Sequence, residues 1–198
     1  MKEVQDHYFR KAKKDGYPAR SVYKLEEAQN KYRFLTKGGR ILDLGCFPGS
    51  WSMFASRVVG PSGLVVGVDL NKVTAENRQP GAGIKWLVAD IFEDGTVDLV
   101  RAVSASFTAV ISDMAPRTTG NKWADQQKSL DLSRRALELA VSLLDPDGAF
   151  YCKVFEGEDY KDFFNEVKAC FRLTRTVKPK SSRPESREVF VLGIGLKK

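Results

Sequence analysis

Residues 41-ILDLGCFPGSWSMFASRV-58 open with three apolar residues in four, break at Gly45, Pro48 and Gly49, and then resume a helical pattern. The apolar start predicts a buried strand, and the glycines and proline predict a tight turn. In sheets of parallel strands, a turn of this kind between a strand and a helix borders the ligand site. The stretch therefore raises the question of which small molecule the turn holds.

Strand and helix patterns alternate along the rest of the chain. Strands are predicted at residues 40–45, 64–70, 84–91, 107–115 and 148–155. Helices are predicted at residues 19–32, 50–59, 94–105, 124–144 and 158–171. This alternation predicts an α/β protein with a mostly parallel, doubly wound sheet. The last two strand patterns, 171–179 and 187–196, have no helix between them, so they predict an antiparallel hairpin at one edge of a seven-stranded sheet.

Length and composition limit the class of protein. The chain has 198 residues, 42% of them hydrophobic, which is typical of one globular domain with a full core. No apolar run reaches the ~18 residues of a membrane span, and no signal segment follows the charged start, so we expect a cytoplasmic protein without a membrane partner. The three cysteines show no paired short spacing, which predicts neither disulfides nor a metal site. His7 is the only histidine, which argues against histidine-assisted nucleophilic catalysis.

The net charge of +7 is unevenly distributed. Residues 1–40 carry eleven Lys and Arg against five Asp and Glu, residues 172–198 carry eight against two, and residues 41–171 carry thirteen against eighteen. This pattern predicts an acidic core that binds a cationic or hydroxyl-rich small molecule, between basic ends that bind nucleic acid. Solvated basic ends are the alternative. The predicted phosphate contacts, on the same side of the molecule as the small-molecule site, are Arg20, Lys178, Lys180 and Arg183.

Charged residues stand at the ends of the predicted strands. In chain order they are Asp43, Asp69, Asp90, Asp113 and Lys153. Because ligands of doubly wound sheets bind beyond the carboxyl ends of the strands, we expect these side chains to surround one site. A single carboxylate there could instead cap the next helix, which is a strong alternative for Asp69 and Asp90.

The turn does not have the pattern of a dinucleotide site. It lacks the G-x-G-x-x-G spacing, and Pro48 disfavours close docking of a phosphate on the following helix. A ligand without a pyrophosphate fits better. Asp69 is placed to accept hydrogen bonds from ribose hydroxyls, and Asp90 can accept one from the adenine amine. The predicted ligand is an adenosine with a cationic tail.

At this point the motifs resemble a known family. The segment DLGCFPGSW (43–51) resembles the S-adenosylmethionine loop of class I methyltransferases, although Cys46 and Phe47 stand where the family usually has two small residues. The chain resembles the FtsJ/RrmJ family of ribosomal RNA 2′-O-methyltransferases over nearly its whole length and in the same order. The motifs that carry this resemblance are RKAKKDGYPARSVYKL (10–25), SDMAP (112–116), KVFEGE (153–158) and SSRPESREVFV (181–191).

The resemblance implies a Rossmann-like class I methyltransferase fold in a single domain, with a basic N-terminal helical segment at 1–38 and the core at 39–198. It implies a catalytic set of Lys24, Asp113, Lys153 and Glu188. The implied cofactor, S-adenosyl-L-methionine, would be bound by Gly45, Pro48, Gly49, Trp51, Asp69, Asp90, Ile91 and Asp113. The implied partner is ribosomal RNA or the large ribosomal subunit, with a uridine as the target, and transfer RNA is the alternative. We expect a monomer without a metal ion.

The implied catalytic residues also make chemical sense by themselves. A ribose 2′-hydroxyl is a poor nucleophile, so its proton must be removed as it attacks a methyl group. A lysine can accept that proton only when it is neutral, and the apolar neighbours of Lys153 disfavour the charged form. We therefore predict that Lys153 is the base and that Lys24, Asp113 and Glu188 orient the reacting groups. The alternatives are a snorkelling lysine at 153, an edge-strand charge at 188 and a solvated lysine at 24.

Three other functions are weighed against this one. A nicotinamide oxidoreductase would share the fold but should show the dinucleotide glycine pattern and a second lobe. A small-molecule methyltransferase would not explain the basic ends, and salt-sensitive RNA binding distinguishes it. A noncatalytic RNA-binding module need not retain Lys24 and Lys153. Transfer of a labelled methyl group to RNA distinguishes an enzyme from such a module.

Overall fold

The computed structural model describes residues 2–75, 80–183 and 185–197. The described elements are α1 (Lys2–Lys14), α2 (Val22–Tyr32), β1 (Arg40–Leu44), α3 (Ser50–Val59), β2 (Leu64–Asp69), β3 (Gly83–Val88), α4 (Gly95–Val103), β4 (Phe107–Ser112), α5 (Lys122–Leu143), β5 (Leu144–Phe155), α6 (Tyr160–Cys170), β6 (Phe171–Val177) and β7 (Glu188–Leu196). The predicted order of strands and helices is confirmed. Helix α1 lies in the segment predicted only as basic and helical.

The described strands form one sheet in the order β3-β2-β1-β4-β5-β7-β6. Strand β7 runs antiparallel to both β5 and β6, and the other paired strands run parallel. The predicted fold, a mostly parallel doubly wound sheet with an antiparallel hairpin at its edge, is confirmed. Because the strand order reverses between β1 and β4, the crevice beyond these two strands is the expected ligand site.

Helices cover both faces of the sheet. On one face α5 and α6 bury side chains such as Leu130, Ala136 and Phe163. On the other face α2 buries Val22 and Leu25 and α3 buries Ala55, none of which is exposed to solvent. Removing such apolar side chains from water stabilises a fold by about 1.5–3 kcal/mol each. Helix α2 is therefore packed into the core, which fixes the position of the backbone that carries Lys24.

Strands β1 to β4 end one to three residues earlier than predicted, and β5 begins earlier than predicted but ends at the predicted residue. Strand β3 ends at Val88, and the Asp90 side chain then accepts a hydrogen bond from the Phe92 main chain at 2.9 Å, which turns the chain. Strand β5 begins at Leu144 because this residue already pairs with Phe107 of β4. The sequence pattern missed both features because short polar turns have no periodicity.

Candidate active site

Four charged side chains from four elements converge near the carboxyl ends of β4 and β5. Lys24 lies on α2, Asp113 follows β4, Lys153 lies in β5, and Glu188 begins β7. Lys153 Nζ lies 2.9 Å from Asp113 Oδ1, and Lys24 Nζ lies 2.8 Å from the Glu188 carboxylate. Lys24 Nζ also lies 3.9 Å from Asp113 Oδ1, which connects the two pairs. The structure thus brings together all four residues predicted as catalytic.

The register of the sheet explains this convergence. Ser112 of β4 pairs with Cys152 of β5, so Asp113 and Lys153 follow at the same level. Lys153 pairs with Phe190 of β7, and Glu188 lies two residues earlier on the same face. That face is covered by α2, which carries Lys24. The site is therefore built on regular elements, and its geometry is fixed by strand pairing.

The four side chains are largely buried. The exposed fraction is 6% for Lys153, 12% for Lys24 and Glu188, and 18% for Asp113. Burial raises the pKa of the Glu188 carboxyl, but the charge of the Lys24 ammonium and its hydrogen bond more than offset burial, so this pKa lies below its usual value. Glu188 is thus held as a carboxylate that binds Lys24.

A cleft of about 590 Å³ opens beside these residues, with Asp113 in its wall. Five of the residues predicted to bind the cofactor line it: Gly45, Asp69, Asp90, Ile91 and Asp113. Its volume lies in the usual range of small-molecule sites. The cleft is at the predicted place, beyond β1, β2 and β4.

The two carboxylates of the cleft wall also shape its loops. Asp69 Oδ2 accepts a hydrogen bond from the Phe47 main chain at 3.0 Å, and Asp69 Oδ1 accepts one from the Asn71 main chain at 2.8 Å. Asp90 Oδ1 accepts from the main chain of Phe92. Asp69 Oδ1 also accepts from the Asn71 side-chain amide at 3.1 Å, whereas Asp69 Oδ2 and the Asp90 carboxylate keep lone pairs for a ligand. The capping alternative and the ligand-binding prediction are therefore compatible for both residues.

The turn after β1 approaches the chain after β4 very closely. Gly45 has a φ of 75°, a conformation that favours glycine, and a Cβ there would collide with the side chain of Met114. Both residues line the cleft. A side chain at position 45 would displace the wall of the cleft, which explains why the sequence breaks at this glycine.

Three residues predicted to bind the cofactor lie away from the cleft lining. Trp51 is buried, stacks on Tyr151 with ring centroids 5.7 Å apart, and donates its indole N–H to the Ser21 carbonyl at 2.9 Å. Gly49 precedes α3 with a φ of 109°, and Pro48 follows Phe47 through a cis peptide bond. These three residues shape the turn and its packing, and their contact with a cofactor stays a prediction.

Sequence reasoning missed other residues of the cleft wall, namely Phe47, Asn71, Phe92, Met114 and Arg117. Each of them lies within a few residues of a predicted acid or glycine. Phe47 and Phe92 are both 52% exposed, which places two large apolar side chains at the mouth of the cleft. Proximity to the charged strand ends was the signal that could have found them.

Asp43, the first charged residue after the opening of β1, is almost completely buried. Its Oδ2 accepts a hydrogen bond from the Ser52 hydroxyl at 2.6 Å. Burial raises the pKa of Asp43 to about 7, helped by the negative charges of Asp113 and Asp69 and opposed by the bond from Ser52. Asp43 therefore ties the end of β1 to α3 beneath the turn.

The residues predicted to contact phosphates lie in two neighbouring segments. Arg20 lies just before α2, and Lys178, Lys180 and Arg183 follow β6. The Glu27 carboxylate joins the segments, because it accepts hydrogen bonds from the main chains of Lys180 at 2.6 Å and Ser181 at 2.9 Å. Lys178 Nζ donates to the Glu188 carbonyl at 2.6 Å, so this lysine also braces the start of β7. Contact with phosphates stays a prediction for all four.

Within residues 2–75, 80–183 and 185–197, no cluster of three or more His, Cys, Asp or Glu side chains has the arrangement of a metal site. The described helices include none that is long and apolar enough to span a membrane.

Comparison with known proteins places these features in context. Residues 17–196 match the model of a family described as FtsJ-like methyltransferase. The chain is 53% identical over 198 residues to the ribosomal RNA large subunit methyltransferase E of Desulfotalea psychrophila. The alignment covers 100% of this chain and 98% of that protein. The protein of the same name from Syntrophobacter fumaroxidans is 46% identical, with 98% of each chain covered.

A solved structure has a similar fold. It is the structure of a Plasmodium falciparum protein described as a ribosomal RNA methyltransferase. The two structures superpose with a TM-score of 0.77 at 24% sequence identity, over 91% of this chain and 98% of the Plasmodium chain.

Proposed function

The chain belongs to the FtsJ-like methyltransferase family, and from that premise we propose that it transfers a methyl group from S-adenosylmethionine to a ribose 2′-hydroxyl of ribosomal RNA. The observation that carries this proposal is the pairing of Lys153 with Asp113 and of Lys24 with Glu188 beside the cleft. The target that we propose is a uridine of large-subunit RNA. The names of the relatives support the choice of ribosomal RNA.

The residues of the cleft fit the proposed cofactor. The absence of a Cβ at Gly45 leaves a cradle against Met114, and the carboxylates of Asp69 and Asp90 can accept hydrogen bonds from ribose hydroxyls and an adenine amine. Carboxylates in the wall also attract the positive charges of the methionine moiety. The apolar side chains of Ile91 and Phe92 offer a surface for the adenine ring. When bound, S-adenosylmethionine supplies an electrophilic methyl carbon whose leaving group is a neutral thioether.

Lys153 has the hydrogen bonds expected of a base. Its Nζ donates to the main-chain oxygen of Asp113 at 2.5 Å and to Oδ1 of the same residue at 2.9 Å. A neutral amine has two N–H bonds, which these acceptors use, and one lone pair, which remains for the proton of the 2′-hydroxyl. Lys153 Nζ therefore takes that proton, and Asp113 holds the amine in place.

Lys24 and Glu188 have a different task. The Lys24 ammonium is bound by the Glu188 carboxylate at 2.8 Å and retains a donor for a ribose oxygen. Glu188 fixes the direction of that ammonium, since its own carboxylate is anchored at the start of β7. The pair thus positions the ribose, while Lys153 removes its proton.

The proposed activity is tested with methyl-labelled S-adenosylmethionine and large ribosomal subunits from cells that lack this protein. We expect label in ribose, at a uridine of large-subunit RNA, and resistance of the neighbouring phosphodiester to alkali. Label on a base, or no transfer to any RNA, would overturn the proposal. Transfer RNA from the same cells is included, and label there alone would make transfer RNA the substrate.

A further inference from the structure

A second, smaller cleft of about 330 Å³ lies between the start of α5 and the segment that follows β5. It is lined by Lys122, Trp123, Gln126, Gly157, Glu158 and Arg187. None of these residues belongs to the proposed cofactor cleft or to the catalytic set. The combination of an indole, an amide and two cations needs a separate explanation.

This cleft adjoins the active site through the sheet. Arg187 directly precedes Glu188, and the Arg187 carbonyl accepts a hydrogen bond from the Glu156 main chain at 2.8 Å. This bond continues the pairing of β5 with β7, in which Lys153 lies opposite Phe190. The second cleft therefore lies beside the end of the β5–β7 pair, next to the predicted position of the target ribose.

Trp123 is presented to solvent on a rigid support. Its side chain is 64% exposed, in the first turn of α5. The Asn121 side chain caps this helix by accepting hydrogen bonds from the main chains of Trp123 at 3.1 Å and Ala124 at 3.2 Å. An exposed indole at the capped start of a helix is a surface on which a nucleobase can stack.

Gln126 provides a second and independent indication of a ligand. The residue is only 5% exposed, and among the described residues its amide nitrogen has no hydrogen-bond acceptor. Leaving a buried donor unpaired costs about 1–3 kcal/mol. A Cβ at Gly157 would collide with this amide, so the glycine makes the room in which the amide stands. An acceptor on a ligand in the cleft would satisfy it.

The charges of the cleft suit a nucleotide. Lys122 and Arg187 are exposed cations, and the Arg187 guanidinium is steadied by the Glu156 carbonyl at 2.5 Å while its other N–H groups stay available. Glu158 adds a carboxylate, which can accept a hydrogen bond from an exocyclic amine of a base. Stacking, base-edge hydrogen bonds and phosphate contacts together are the means by which proteins bind unpaired RNA.

We propose that this cleft binds a nucleotide next to the target in single-stranded RNA, with its base stacked on Trp123, its base edge on Gln126 and its phosphate on Lys122 and Arg187. The inference rests on the proposed function, because it assigns a further contact to the same RNA. It predicts that the enzyme requires an unpaired base beside the methylated nucleotide. Positioning a neighbour in this way orients the ribose over Lys153.

The test compares Trp123→Ala with Trp123→Phe and with Val141→Ala. Val141 is 45% exposed on the same helix and 18 positions further along, roughly 27 Å away. Loss of one stacked base weakens binding by about 1–3 kcal/mol, so Trp123→Ala should raise the Kd for a short single-stranded oligouridylate and the KM for RNA roughly 5- to 150-fold. Trp123→Phe should retain most of the affinity, and Val141→Ala should match the wild type.

Binding of S-adenosylmethionine, measured by calorimetry, should be equal in all four proteins. An unchanged Kd and KM in Trp123→Ala would overturn the inference while leaving the proposed function intact. If the wild type methylates no RNA, the proposed function fails, and the oligouridylate Kd still decides whether Trp123 binds RNA. A loss of affinity equal in Trp123→Ala and Val141→Ala would also overturn the inference, because it would reflect damage to α5.

Discussion

Asp113 holds Lys153 through two acceptors at once, its own main-chain oxygen at 2.5 Å and its carboxylate Oδ1 at 2.9 Å from Lys153 Nζ. A single residue thereby sets the direction of the amine from two sides. The bond to Cε and the two hydrogen bonds to Asp113 occupy three of the four tetrahedral directions around Nζ. The fourth direction is left for the substrate.

Lys153→Ala should retain cofactor binding and lose single-turnover methyl transfer by ~10²–10⁴-fold, the usual contribution of a general base. Lys153→Arg should fail as well, because a guanidinium stays protonated at any working pH. The exposed Lys161 of α6 provides the control, and Lys161→Ala should keep the wild-type rate. A near-normal single-turnover rate in Lys153→Arg with bound RNA would exclude proton abstraction and leave only an orienting role.

Asp69→Ala should weaken the binding of S-adenosylmethionine by roughly 1.5–3 kcal/mol, the range of a hydrogen bond to a charged group. The loss should have two sources, since Asp69 also holds the Phe47 main chain at the mouth of the cleft. Titration calorimetry measures it. Asp94, whose side chain makes no capping bond to α4, is the matched acid, and Asp94→Ala should bind normally. Equal affinity in a folded Asp69→Ala protein would remove the assignment.

RNA affinity should fall linearly with salt on a log-log plot, and Arg183→Ala should reduce the slope by about 1. Lys178→Ala should in addition lower the rate at saturating RNA, because Lys178 Nζ braces the Glu188 carbonyl. Lys85 is exposed on β3, at the opposite edge of the sheet, and Lys85→Ala should change neither quantity. Affinity that is indifferent to salt would mean that the basic segments are merely solvated.

Asp43 should make folding stability depend on pH near neutrality. Its pKa is raised to about 7 in the folded protein and is about 3.9 in an unfolded chain, so the stability it contributes is present below pH 4 and is lost as the pH rises through 7. Asp43→Asn should remove this loss, which amounts to roughly 4 kcal/mol by pH 8. Denaturant unfolding at several pH values measures it, with Asp98→Asn on the surface of α4 as the control. Parallel pH curves for wild type and Asp43→Asn would contradict the prediction.

The sequence predicted the sheet well because its strands obey simple patterns. The apolar residues of β1, β2 and β4 are buried on both faces, so each strand appears as a short apolar run with an acid at or next to its end. Parallel strands bring those ends to one edge, which is why Asp69, Asp90 and Asp113 were found to line one cleft. Their roles at the level of atoms stay predictions.

Other features required the three-dimensional structure. The contact of Lys24 with Glu188 depends on the insertion of β7 between β5 and β6, and no local pattern encodes that choice. Trp51 stands in the motif of the cofactor loop, yet it packs against Tyr151 beneath the loop, because a large indole contributes more by filling the core. The loop from Met114 to Arg117 has no periodicity, so its place in the cleft wall was missed.

Strand β7 occupies a gap between two strands that both precede it in the chain. Because Glu188 is its first residue and lies 164 positions after Lys24, a ribosome making this protein has already released every other member of the proposed catalytic set when this acid emerges. A growing chain therefore holds an unfinished site in which Lys24 lacks Glu188, the nearer of its two carboxylate partners. Closure of long loops is slow, so insertion of β7 is expected among the late steps of folding. If Glu188 has the proposed role, we expect methyl transfer to begin only once translation has passed β7 and the sheet has closed, so that an incomplete copy does not modify its substrate.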